Sequence, residues 1–233
     1  SEPICVNNFN PKIISEWITK RQRKYPIFNN AYMMTGTHHL YNYLPTKHEK
    51  WLTMIKQEII DSGLIIDILN AKTMEAVFRL LQGCSFLGSF LAYQYTIDMN
   101  YSPYINFSEN DFVKAGIGAI RGIKKCFLCY GNKCEDAIWY VKEHFNDLLK
   151  RYGYTSFHPL PGHEPTLIDL QNCFCETDKY LRAKMPELRI GNVRIKQKYM
   201  PHTDPIQFFF PPKWNIVEMY KYKPIVVPTL FDL

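Results

Sequence analysis

A chain of 233 residues in which 46% of side chains are hydrophobic has material for a sizeable core, which excludes a globally disordered protein. The formal net charge of +6 suits an anionic partner without requiring one. The seven cysteines are an odd number, and the chain has no secretory h-region and no apolar run long enough to span a bilayer. These features point to a reducing compartment rather than a disulfide scaffold or a membrane protein.

In chain order, residues 1–12 read as an extended lead-in. Ser15 is placed to cap a helix whose end is basic, with Lys20, Arg21, Arg23 and Lys24. Those cations complement the helix dipole or contact phosphates, and both readings stand. Pro26 breaks the helix. The apolar run 27–34 embeds Asn29 and Asn30, which staple a turn or line a polar pocket.

Spacing of three to four in Trp51, Leu52, Ile55, Ile59 and Ile60 predicts a helix over 48–62. Further helices are predicted over 63–69 and over 73–81, the latter capped by Thr73. The next covers 89–99, after a tight turn from Gly83 to Gly88. One continuous helix is expected over 135–151 and another from Thr166 to about Lys184. A small hairpin is expected at 188–195, around Gly191-Asn192. Beyond Pro201 the Pro- and Phe-rich sequence argues for an extended arm packed on the body. The fold class is therefore mainly α: a lead-in (1–12), one helical domain (13–185), and a hairpin with an extended C-terminal arm (186–233).

The stretch from Leu80 to Lys125 carries the clearest chemical signals. A turn rich in small residues, running into a helix with free backbone N–H groups, grips a phosphate backbone without reading bases. That is the logic of a helix-hairpin-helix. It assigns DNA-backbone contacts to Gly83, Ser85, Gly88 and Ser89, with Lys124 and Lys125 as further cations. In base-excision glycosylases of this architecture an acidic residue follows some twenty positions after such a turn. Here Asp111 lies 22 residues after Ser89. A carboxylate so placed takes a proton or stabilises a cation; the alternative is a helix N-cap.

The block Ala115-Gly116-Ile117-Gly118-Ala119-Ile120-Arg121-Gly122-Ile123-Lys124-Lys125 reads as a Gly-rich basic turn for phosphate or pyrophosphate, or as close helix packing. It is not a GxxxxGK[ST] loop. On the helix over 166–184, Glu176 with Tyr180 and Asp178 with Arg182 form i,i+4 pairs, either functional or a solvated face. Cys126, Cys129 and Cys134 supply three thiols, and Cys173-x-Cys175 is too short for a standard zinc knuckle. No histidine spacing suggests a catalytic metal, so neither metal nor cofactor is assigned.

Three ordered blocks resemble one family. They are Gly83…Gly88-Ser89-Phe90-Leu91-Ala92-Tyr93-Gln94, then Asp111…Ala115-Gly116-Ile117-Gly118-Ala119-Ile120-Arg121-Gly122, then Cys175-Glu176-Thr177-Asp178-Lys179-Tyr180. The chain resembles the α-glutamyl/putrescinyl thymine pyrophosphorylases over roughly residues 13–185, a family similar in fold to the helix-hairpin-helix DNA glycosylases.

The resemblance implies action on DNA. An activated 5-pyrophosphoryloxymethyl-uracil loses pyrophosphate, and an amine of a polyamine or amino acid takes its place. Asp111, Glu176 and Asp178 would then be catalytic. Gly116, Gly118, Arg121, Asn30, Gln94, Lys179 and Tyr180 would hold the flipped base or the pyrophosphate. The expected setting is the nucleus. Residues 33–39 (MMTGTHH) depart from the family's charged cluster. They motivate a second reading, a glycosylase-fold module that docks DNA or scaffolds proteins without chemistry, with a protein partner taken through the aromatic arm.

Overall fold

The computed structural model describes residues 4–28, 32–160, 162–191 and 210–216. The architecture is mainly α-helical, as predicted, and the described residues contain no strand beyond one bridge between Leu160 and His163.

Helix α1 (Pro11–Gln22) starts before Ser15, because the Asn10 side chain accepts the N–H groups of Lys12 and Ile13 and Pro11 supplies a preset φ. Ser15 is buried inside the helix instead of capping it. Helix α2 (Lys47–Met54) is capped by Thr46 and runs directly into a π-helical segment, Ile55–Asp61. Gly63, at φ 81°, turns the chain into α3 (Leu64–Asn70). Thr73 caps α4 (Met74–Gln82) through the Ala76 N–H, as predicted.

Helix α5 (Ser89–Asn100) is the central element. Leu91, Ala92, Tyr93, Gln94, Thr96, Ile97 and Asn100 are all buried, so it is covered nearly all round. The predicted 135–151 helix is two helices, α7 (Cys134–Glu143) and α8 (Phe145–Arg151), broken at His144. Helix α9 (Leu167–Lys184) follows Thr166, whose N–H and hydroxyl both donate to Asp169.

The block read as a Gly-rich turn is in fact mostly helix: α6 (Ile117–Cys126). Its glycines serve the crossing with α9. A Cβ on Gly122 would lie 2.0 Å from the Phe174 carbonyl oxygen, and one on Gly118 would lie 2.4 Å from Cys175 Sγ. Ala119 and Ile123 on the same helix are fully buried. Small residues four apart let the two backbones approach closely, the alternative weighed for this block.

The C-terminal segment 210–216 packs on the body. Trp214 Nε1 donates to Glu109 Oε2 at 2.8 Å, its indole stacks on His163 at 3.6 Å, and Lys213 Nζ caps the Asn100 carbonyl at 3.0 Å. Where the hairpin was expected, Pro186–Leu188 forms a 3-10 turn, and residues 192–195 lie outside the described residues, as do Asn30 and Phe208-Phe209.

Candidate functional site

The turn between α4 and α5 is braced from beneath. Phe86 takes a positive φ of 67°, costly for an aromatic residue, and its ring is held against Trp51 at 5.2 Å and against Tyr41 and His38. Glu58, from the π-helical segment, accepts the Ser85 N–H at 2.7 Å and the Tyr41 hydroxyl at 2.6 Å. The Ser85 amide is thus committed to a carboxylate, not open to a phosphate. Gly88 is exposed and its Cβ direction is empty, so the outer face of the turn is accessible; the Ser89 hydroxyl accepts from Gln82 Nε2 at 2.6 Å.

Burial alone would raise the Glu58 carboxyl, but the bonds from Ser85 and Tyr41 outweigh it and hold it below the ordinary glutamate value. A carboxyl lowered in the folded state stabilises above its unfolded pKa, and that contribution is lost as pH falls through the folded value. Glu58→Gln is therefore expected to cost about 1–2 kcal/mol at neutral pH and to flatten the acid limb of stability. Urea unfolding across pH 3 to about 7 checks this; parallel wild-type and variant curves would count against it.

Beyond the turn, α4, the start of α5, the 111–114 loop and α7 enclose a cleft of about 550 Å³. Three carboxylates (Asp111, Glu75, Glu135) and three cations (Arg79, Lys114, Lys133) face it, with Trp139 as an aromatic wall. Asp111 is exposed and its side chain has no bond among the described residues. It does not cap a helix, because α6 begins six residues later with Gly116 at the cap.

Its loop is pinned on both sides. Asn110 Oδ1 accepts the Leu167 N–H at 3.2 Å, and Glu109 is held by Trp214. Glu135 Oε1 accepts Lys114 Nζ at 2.7 Å and the Ala115 N–H at 3.1 Å. Burial pushes the Glu135 carboxyl up, but these bonds prevail and lower it. Arg79 is paired with Glu75 at 3.1 Å and Lys114 with Glu135, so Asp111 and Lys133 are the lining charges left without an ion pair among the described residues.

Of the other predicted residues, Ser89 also lines the Asp111 cleft, and the rest are not gathered there. Asp178 is 1% exposed and is held by Lys125 Nζ at 2.6 Å and Arg182 Nε at 3.1 Å. Lys125 is thereby turned into the protein, away from any DNA backbone, whereas Lys124 is exposed. Glu176 pairs with Lys179 on the exposed side of α9, beside the exposed Tyr180. Gln94 is buried in α5, and Arg121 is half-buried without an ion pair among the described residues. Gly116 sits against Phe90 and Gln171. None of Arg121, Glu176 and Asp178 lines the Asp111 cleft. Among the described residues no three His, Cys, Asp or Glu side chains are grouped as metal ligands would be.

The family model for the helical domain of 5-hmdU DNA kinase (5-hmdU being 5-hydroxymethyl-deoxyuridine) matches residues 1–190. The chain belongs to this family. The 5-hmdU DNA kinase helical domain is related to thymine modification in DNA, which is the broader part of what the sequence blocks imply; the match is not to the pyrophosphorylase family that those blocks resemble. No curated protein and no solved structure matches the chain. Within this 5-hmdU DNA kinase helical domain, the cleft residues that sequence reasoning missed are Arg79, Lys114, Lys133, Glu135 and Trp139. Only Lys114, three positions from Asp111, carried a local signal; Arg79 comes from α4 and Lys133 and Glu135 from the entry to α7, where they resemble solvated faces, and Trp139 reads as a core residue of the predicted 135–151 helix.

Proposed function

We propose that the chain acts on DNA carrying a 5-substituted pyrimidine and that the Asp111 cleft receives the modified base. Asp111 takes the proton of the attacking group, and Arg79, Lys114 and Lys133 neutralise a phosphate or pyrophosphate on the 5-methylene. The base must leave the stack to reach the cleft, and Trp139 offers it a ring face. In the narrower form that the sequence blocks imply, pyrophosphate departs and a polyamine or amino-acid amine replaces it. The observation that carries this reading is the single unengaged carboxylate, Asp111, in one cleft with Lys133 and with Arg79 and Lys114, which Glu75 and Glu135 hold.

A second reading has its own support. Gly118 and Gly122 are used up by packing, and Asp178 and Lys125 by a buried ion pair. In this reading the domain docks DNA for chemistry supplied elsewhere, in keeping with a family named as the helical domain of a kinase and with a chain that lacks a GxxxxGK[ST] loop. A protein partner through the arm is compatible with it, although Trp214 itself is engaged on the body. Under both readings we propose the nucleus as the setting, where free thiols suit the reducing conditions.

Oligonucleotides bearing 5-hydroxymethyl- or 5-pyrophosphoryloxymethyl-deoxyuridine, incubated with amines or ATP and read by mass spectrometry, separate the two. Turnover that falls by about 10²–10⁴-fold in Asp111→Asn, with DNA affinity within about twofold of wild type, supports the enzyme. Binding without turnover supports the docking module. Absence of any DNA binding at low salt overturns both.

A further inference from the structure

The strongest feature left unused by the Asp111 cleft lies on α1. Residues 11–25 carry Lys12, Lys20, Arg21, Arg23 and Lys24 against one carboxylate, Glu16, so this short segment holds +4 of the chain's net +6. On its outer side Trp17 is 62% exposed and Tyr25 is 55% exposed. They lie eight residues apart, with Arg21 midway at i+4 from each. The Arg21 guanidinium stands over the Trp17 ring at 5.9 Å and over the Tyr25 ring at 4.9 Å, which fixes the three as one aromatic–cation–aromatic ladder. Around the helix Lys20 and Lys24, four residues apart and both exposed, flank the ladder; the open groove of about 350 Å³ between α1 and α2, faced by Lys12, Lys20 and Arg23, lies on the opposite side of α1.

Two exposed rings held by a guanidinium have little to gain from water, and the cations around them have no compensating partners among the salt bridges of the described residues. Flat π faces next to a row of cations match unpaired bases on a phosphodiester strand, since every base offers a π face and every linkage a negative charge. A duplex fits less well, because its bases are already stacked on each other. A protein partner fits less well too, because lysine is depleted at the centre of protein–protein contacts.

We propose that α1 and the turn that follows it are a binding surface for single-stranded DNA, with bases stacking on Trp17 and Tyr25 and the backbone running along Lys20 and Lys24. It is separate from the Asp111 cleft and needs no modified base. Its role beside a base-modifying or DNA-docking domain is to hold unpaired strand near the target nucleotide.

The test uses the full chain and a fluorescein-labelled, unmodified single strand of about 12 nucleotides. Anisotropy titrations cover 50 to 200 mM salt, with the matching duplex alongside. Trp17→Ala/Tyr25→Ala is expected to weaken single-strand binding by about 10–100-fold while duplex binding stays within about twofold. Lys20→Gln/Lys24→Gln should lower the salt slope by about 1.4. The tryptophan quenching seen on strand addition should vanish in Trp17→Phe. All these positions are exposed, and circular dichroism verifies the fold. Asp111→Asn should bind the plain strand like wild type, so failure of the cleft assignment leaves this surface standing, and the converse also holds. Single-strand affinity unchanged in both double variants overturns the proposal. So does self-association through Trp17 in sedimentation without strand binding, which would make the ladder a protein contact.

Discussion

Alanine at Gly122 is expected to lower the unfolding free energy by about 3 kcal/mol or more, and the thermal midpoint by roughly 6–12 °C. The added Cβ would lie 2.0 Å from the Phe174 carbonyl oxygen, a backbone atom in the middle of α9 that no rotamer change can move. Relief requires the two helices to separate, and with them Ala119 and Ile123 lose their packing. Gly118→Ala provides the graded control. Its Cβ meets Cys175 Sγ at 2.4 Å, the end of a side chain that can rotate, so a smaller loss of about 1 kcal/mol is expected. Differential scanning calorimetry on the two variants checks the order. If both glycines instead held a phosphate, alanine would reduce turnover with the midpoint unchanged, and equal midpoints for both variants and wild type would rule out the packing assignment.

Asp178→Ala is the second large effect. Asp178 is the common partner of Lys125 and Arg182, and all three side chains are less than 10% exposed. Removing the carboxylate leaves the buried Lys125 ammonium without its counter-charge and takes an ion pair from Arg182, which costs about 3–5 kcal/mol. Lys125→Met is expected to cost less, because Asp178 keeps Arg182 and the methionine fills the stem's volume. Urea unfolding of the two single variants and the double variant gives the coupling energy, expected to exceed about 1 kcal/mol. Were Asp178 a proton acceptor for substrate, Asp178→Asn would fold like wild type and lose only turnover; unchanged stability in both Asp178 variants would sink the structural role.

The helical character of the chain was legible because burial is one-sided where it matters. Helix α4 reads from Thr73 and from Ala76, Val77, Leu80 and Leu81, of which Val77 and Leu81 are buried while Phe78 takes the place expected of Leu80, and α9 reads from Thr166. The break at His144 was not, since apolar spacing continues across it and only the backbone turn at that residue separates α7 from α8. Helix α6 was misread because glycine signals both a turn and a close crossing, and sequence alone does not say whether a second helix waits on the other side. Asp111 could be picked out by its distance from the turn, a one-dimensional relation. Its companions Arg79 and Lys133 could not, because they come from α4 and from the entry to α7 and meet it only in three dimensions. Asp178 was drawn into the site with Glu176 by the Cys175–Tyr180 block, although one position points inward and the other out.

The contact between Trp214 and Glu109 separates two properties that usually travel together. The matched domain ends at residue 190, yet the loop two residues from Asp111 is clamped by a ring from residue 214. Part of the rigidity of the cleft's edge is therefore supplied from outside the matched domain. Changes in 210–216 can loosen or tighten that edge while the α6–α9 crossing stays intact, so the tuning of the cleft and the integrity of the fold are free to vary independently.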